Sequence, residues 1–402
     1  MAGTPLTYEP NYTTMFIQAM LSNLAYLQQL PEVQSLDAAK LDQERESLVR
    51  TIRFALNVSQ AWSPVCRLIE TVSPYMERRG YWTVWKQILT QALELARQRD
   101  DAATGTMLSL LLARLLQRQS NIKQTIYYYR QTLYFARRCG DDYNIARACT
   151  NMGYLFIEQG RWLRAEVLCR YALIVFERIG SRHGLAHTEN HLGFLYLRKH
   201  CWQCAQQHLE RACQIWSAMG DDHGLMRGCI NLGALYLEIK SPLQAKYYLT
   251  QALQRAKATG EEVETAAVYI GLGVACRLEG DPVQGEHYVR QAETIFRRFR
   301  HTIGLAQAQD NLGLVYLDQR KWSEAKQYFM TALQNWTHLK SKLGELRVLT
   351  YLVEYELARQ DQPQAAVRLR QVEAMLKKQR DREHYRFLQP ALNRYRYSVS
   401  RL

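Results

Sequence analysis

An all-α chain, built as a right-handed α-solenoid of about eight helix–turn–helix units, is predicted by three observations in the 402-residue sequence. An offset of 40 brings Gly153, Gly193, Gly233, Gly273 and Gly313 into register, in the strings NMGYLF, HLGFLY, NLGALY, GLGVAC and NLGLVY. Twelve residues after these glycines come Ala165, Ala205, Ala245, Gly285 and Ala325, and seven further on Ala172, Ala212, Ala252, Ala292 and Ala332. Trp162, Trp202, Pro242, Pro282 and Trp322 open the second segment of each unit, where proline suits a first helical turn because its missing N–H has no partner there anyway. Small residues at fixed places in both segments mean close backbone contact between paired helices. A unit of this length cannot bury its apolar face alone, so stacking on neighbours supplies the core.

The elements follow in order. Residues 1–61 read as a helical lead-in that begins near residue 12; its opening, MAGTPLTYEPNYTTMFIQ, lacks the basic leader and clean apolar stretch of a secretory signal. Residues 62–380 read as the repeat array. Gly80-Tyr81-Trp82 and Ala92 match Gly160-Arg161-Trp162 and Ala172 at twice the offset, while Ala113 and Val353 stand in for the glycine at either end. RIGSRHGLA, AMGDDHGLM and HLKSKLGEL read as helix stops and restarts, through glycine at the C-terminal end and polar capping residues. Residues 381–402 read as a basic capping helix or tail. From Val367 to Leu402 ten Arg or Lys face three acids, a local excess of seven positive charges.

Hydrophobic residues at 47% and charged residues at 22% supply enough apolar surface for a core and argue against general disorder. No apolar run reaches the ~18 residues that span a bilayer, so a cytoplasmic location is expected. Nine cysteines, an odd number scattered through predicted helices, suggest reduced thiols and no disulfide framework. The formal charge of +14 implies attraction to something acidic. No nucleophile elbow, phosphate loop or metalloprotease helix is present, so neither catalysis nor a cofactor is expected.

The order Met152-Gly153…Phe156, then Trp162…Ala165…Cys169…Ala172, resembles the tetratricopeptide repeat, in a variant longer than the usual period of about 34. LDQERESLVRTIRFALN (41–57) and VCRLIETVSPYMERRGYWTVWKQILTQALELARQRDD (65–101) resemble the segment that opens the repeat arm of bacterial signal-transduction NTPases with numerous domains. The second resemblance implies a detached sensor arm, since the sequence carries no GxxxxGK[ST] phosphate loop.

The first resemblance implies that the leading helix of each pair lines a concave face. It places Arg147, His187, Arg227, Gln307 and Arg347 at one outward position and Asn151, His191, Asn231 and Asn311 one turn along. Asparagine there pairs donor and acceptor with an extended backbone, and arginine grips a carboxylate or phosphate at two points. The function expected is a noncatalytic protein- or peptide-binding scaffold or sensor that regulates or assembles a larger complex, with an enzyme subunit among the eligible partners. Two alternatives stand beside it. One is a nucleic-acid-associated subunit using Lys377, Lys378, Arg380, Arg382, Arg386, Arg394 and Arg396, with Tyr385, Phe387, Tyr395 and Tyr397 as stacking surfaces. The other is a peptide-pheromone-type receptor. Metal ligation has only weak candidates: Cys201, Cys204 and His208 near a helix start, and the stripe His183, His187, His191.

Overall fold

The computed structural model describes residues 12–30, 33, 38–119, 121–377 and 389–400. Among them are 19 α-helices, one 3-10 turn at Ser59–Ala61, and no strand. Two separately compact units divide the chain, residues 1–152 and 153–402.

The first unit opens with α1 (Tyr12–Gln29) and α2 (Ala38–Ala55), which pack against α3 (Trp62–Arg78). The hairpins α3/α4 (Trp82–Gln98) and α5 (Ala102–Arg118)/α6 (Ile122–Cys139) follow. Leu24, Leu48, Ile52, Leu68, Trp85 and Leu112 belong to the core that they share. The helix α7 (Asp142–Glu158) carries the chain from one unit into the other.

In the second unit, α8 (Trp162–Arg178) completes the hairpin begun by α7. Five further hairpins follow: α9 (Arg182–Arg198)/α10 (Trp202–Met219), α11 (Asp222–Glu238)/α12 (Pro242–Ala258), α13 (Glu262–Leu278)/α14 (Pro282–Arg298), α15 (Thr302–Asp318)/α16 (Trp322–His338) and α17 (Lys342–Ala358)/α18 (Gln362–Lys377). A last helix, α19 (Gln389–Ser400), packs on α17 and α18. Eight hairpins at a 40-residue spacing thus occupy residues 62–377, all helical as the repeat predicts. Consecutive leading helices from α9 to α17 touch one another, so within this unit they form the inner layer and the trailing helices the outer one.

The period visible in the backbone is shorter than the period visible in the side chains. Among described residues, a left-handed residue ends a helix at every twentieth position from 80 to 360, and the next N–H bonds back to the carbonyl five residues earlier, as Asp101 does to Ala96 and Ser341 to Trp336. This closure satisfies carbonyls that a helix end leaves without partners. Side chains of Asp101, Asn121, Ser181, Asp221, Asp281 and Ser341 then accept from the N–H three residues on and start the next helix. In HLKSKLGEL the stop is therefore Lys340, not the glycine; Gly344 lies in the first turn of α17.

Two sets of glycines set the packing. A Cβ on Gly193 would come within 2.5 Å of the Leu209 side chain, and one on Gly233 within 2.6 Å of Leu249, so the in-register glycines seat each leading helix on its own trailing helix. The second set seats each leading helix on the hairpin before it: Gly184 against Phe176, Gly224 against Trp216, Gly304 against Phe296 and Gly344 against Trp336.

Candidate partner-binding face

The predicted binding positions fall on the leading helices, and each unit holds its own share. In the first unit, Arg147 and Asn151 are half-buried beside Tyr129 of α6. The Asn151 side chain bonds the Tyr129 hydroxyl, which donates to Gln117 Oε1 at 3.0 Å, and burial pushes that hydroxyl far above its ordinary range.

In the second unit the other seven predicted positions divide into committed and available groups. Arg347 is committed: it pairs with the carboxylate of Asp310, which is only 1% exposed, and its guanidinium lies 5.3 Å from the centre of the Trp336 ring. Trp336 Nε1 donates to the same carboxylate at 3.0 Å. Asn231 donates to Oδ1 of buried Asn190 at 2.9 Å, and Asn311 to the Gln307 carbonyl at 2.8 Å. Asn231 thus ties α11 to α9, whereas Asn311 bonds a carbonyl of its own helix. His187 packs edge-on against Trp216 with ring centres 5.3 Å apart, and desolvation pulls its pKa down to about 3, so the imidazole is neutral. His191 is buried and lies 5.1 Å from the ring of Tyr154.

Arg227 remains available, and it belongs to a constellation that the sequence reading did not assemble. Tyr154 stacks on Phe194 at 6.1 Å and meets His191 at a tilt, Arg198 lies 4.9 Å over Phe194, and the charges of both Arg198 and Arg227 act on the Tyr154 hydroxyl. Burial nonetheless raises that hydroxyl to about 12 and also raises the nearby Glu158 carboxyl. Neither Arg198 nor Arg227 forms an ion pair among the described residues. Two uncommitted guanidiniums beside three aromatic rings can grip a carboxylate and stack an adjacent side chain. The sequence did hold a signal for Arg198, which sits eleven residues after His187 and so on the same helical face.

Other candidates separate. Cys201 and Cys204 are joined as a disulfide across the first turn of α10, which corrects the reduced-thiol expectation for this pair and removes both as free ligands. His208 turns away from them: its Nδ1 lies 2.5 Å from Oε2 of Glu189, a fully buried carboxylate that Arg211 also contacts at 3.0 Å. Among the described residues no three or more His, Cys, Asp or Glu side chains converge on a metal position. In the basic C-terminal stretch, Lys377 and Arg394 are exposed and Arg396 is paired with Glu373 at 2.6 Å. Lys378, Arg380, Arg382 and Arg386 lie outside the described residues. No described helix is long and apolar enough to cross a membrane.

Residues 184–258 match the family model of the tetratricopeptide repeat. No curated protein matches the sequence. Solved structures match the fold. A Rap protein complexed with competence and sporulation factor superposes with a TM-score of 0.56 at 14% identity, covering 83% of this chain and 98% of that one. The apo quorum sensor NprR from B. thuringiensis gives 0.55 at 16%, covering 90% and 99%. A signal-transduction ATPase with numerous domains and a tetratricopeptide repeat sensor, from Pyrococcus horikoshii, gives 0.54 at 13%, covering 89% of this chain and 55% of its own. Residues 184–258 are accordingly tetratricopeptide repeats, in a form whose unit is 40 residues long, and the hairpins on either side keep the same spacing.

Proposed function

We propose that this chain is a noncatalytic recognition protein whose inner face holds a protein segment or peptide and thereby regulates or assembles a larger complex. The observation that carries the reading is the pair Arg198 and Arg227, which form no ion pair among the described residues and lie beside the Tyr154–His191–Phe194 rings, the charge of Arg198 also reaching the buried Glu158 carboxyl. A segment placing an acidic group next to an aromatic or apolar side chain matches that chemistry. A rigid stack of helices also pre-organises such contacts, which lowers the ordering cost of binding. The names of two structural neighbours, a Rap protein complexed with a factor and a quorum sensor, point the same way for those proteins.

The test is affinity capture of the tagged full chain from its host lysate, with and without nuclease, beside the Arg198→Glu/Arg227→Glu variant. A nuclease-resistant protein partner captured by the parent and lost by the variant, with helical content unchanged, is expected. Equal capture by both chains would remove the inner face from the account. Recovery of nuclease-sensitive material alone would move binding to the basic C-terminal stretch.

A further inference from the structure

A second surface, in the first unit, has a different chemistry from the inner face. Arg45, Val49, Arg50, Arg53 and Phe54 form one stripe of α2, and Val84 of α4 closes the opposite wall of a groove of about 810 Å³. The stripe from Arg45 to Asn57 runs for about 18 Å along α2 and its C-terminal extension.

The guanidiniums of this groove are largely unneutralised. Arg45 lies over the Tyr81 ring at 4.7 Å, and Arg53 bonds only the neutral Gln87 amide at 3.4 Å. Asp42, one turn before Arg45 on α2, is taken by Arg79 and by the hydroxyls of Tyr75 and Tyr81 at 2.7 and 2.9 Å, which pull its pKa to about 2. Glu46 approaches Arg45 at 3.4 Å, but its side chain is 80% exposed. Three arginines therefore line the groove against one loosely held acid. Between them Phe54 is 57% exposed and Val84 is 36% exposed, an apolar strip left in water.

We propose that this groove docks an acidic amphipathic helix from another protein, its apolar side chains on Phe54 and Val84 and its carboxylates along Arg45, Arg50 and Arg53. A helix laid into a two-helix groove uses one apolar face and one charged edge, which is what the groove offers. Charge also selects the occupant. A second copy of this chain carries +14 and meets repulsion, whereas a phosphate backbone would satisfy the arginines and leave the apolar strip uncovered.

The experiment is fluorescence anisotropy on the full chain with three labelled helical peptides that share one leucine stripe and carry Glu, Gln or Lys on the opposite face. Labelled oligo-dT serves as a fourth probe. The Glu peptide is expected to bind best and the Lys peptide worst, with an affinity that falls as salt rises. Arg50→Glu/Arg53→Glu weakens the Glu peptide by about tenfold or more, and Phe54→Ser weakens all three peptides. Arg164→Glu/Lys326→Glu, an equal charge reversal at exposed positions of α8 and α16, leaves them unchanged. The proposal is overturned by equal binding of the Glu and Lys peptides, by no saturable binding of the Glu peptide, or by indifference to the Arg50/Arg53 variant. Tighter binding of oligo-dT through the same arginines would make the groove a phosphate site and overturn it equally.

Discussion

At the scale of single residues, the polar groups that fix the second unit are mostly buried ones. Glu189 is fully buried, and its charge is tolerated because His208 and Arg211 meet it from the trailing helix of the same hairpin. Removing one partner strands part of that charge, so His208→Ala is expected to cost about 2–4 kcal/mol, read from urea unfolding, without altering any metal dependence. His187 carries a pH signature. Its folded pKa of about 3 lies below the ordinary 6.5, so the unfolded chain takes up the proton first. The stabilising contribution is therefore complete above pH 6.5 and is lost as pH falls toward 3. Between pH 6.5 and 4.5 the parent should lose about 2 kcal/mol more stability than His187→Phe, which keeps a ring against Trp216; equal losses would show that the imidazole is already solvated. Residue roles were the part of the molecule least legible in the sequence. Register placed Arg347 and Asn231 on the inner helices, but only three-dimensional packing reveals that Asp310 and Asn190 have already claimed them. Arg198 was overlooked because it lies beyond the positions that the repeat pattern marks.

At the scale of the element, the sequence shows a rule that the structure explains. Position 176 and its equivalents carry Phe176, Trp216, Phe296 and Trp336, each followed eight residues later by Gly184, Gly224, Gly304 and Gly344. Where the first position is Ala136 or Ala256, the second is Asn144 or Glu264. The glycine occurs where the ring does because a Cβ on Gly184 would lie 2.4 Å from Phe176. Gly184→Ala should therefore cost about 1–3 kcal/mol through overpacking, and Phe176→Ala about 3–5 kcal/mol through the cavity it leaves. The double variant should lose about 1 kcal/mol less than the sum, because the smaller ring position accepts the new methyl; strict additivity in denaturant melts would contradict the fit. The turns allow a gain as well. Arg320 sits at φ 57°, a conformation that costs a side-chain residue about 1 kcal/mol, so Arg320→Gly should raise the melting temperature although it adds no contact. Helix number, order and spacing were legible in the sequence because small residues recur wherever backbones touch. The turn at Lys340 was misread because its left-handed residue is not glycine, and composition alone does not report a positive φ.

At the scale of the molecule, a 40-residue period means that a whole hairpin is the unit of insertion and deletion, but the ring–glycine rule says that not every such deletion is equivalent. Removing residues 182–221 joins Ser181, already an N-cap, to Asp222 and leaves Phe176 facing Gly224, a ring–glycine pairing of the type that recurs at Phe176/Gly184, Trp216/Gly224, Phe296/Gly304 and Trp336/Gly344. Removing residues 222–261 keeps the same period and joins Asp221, also an N-cap, to Glu262; it sets Trp216 against Glu264, where the native neighbour of that ring is a glycine. Each shortened chain loses one hairpin and the contacts on both its sides, so a purely nearest-neighbour array would leave the two similar in helicity per residue and in midpoint. The interface mismatch separates them: the 222–261 deletion should unfold at lower urea, by about 2 kcal/mol or more relative to the 182–221 deletion, because a carboxylate side chain is driven into a fully buried indole. Glu264→Gly in the less stable deletion should recover most of that difference, while the same substitution in the parent, where position 256 is Ala256, should be neutral or destabilising by about 1 kcal/mol. Circular dichroism melts of the two deletions and the rescued one decide the matter. Equal midpoints, or no rescue, would mean that neighbouring hairpins adjust their spacing freely and that the ring and its glycine do not set the fit between them.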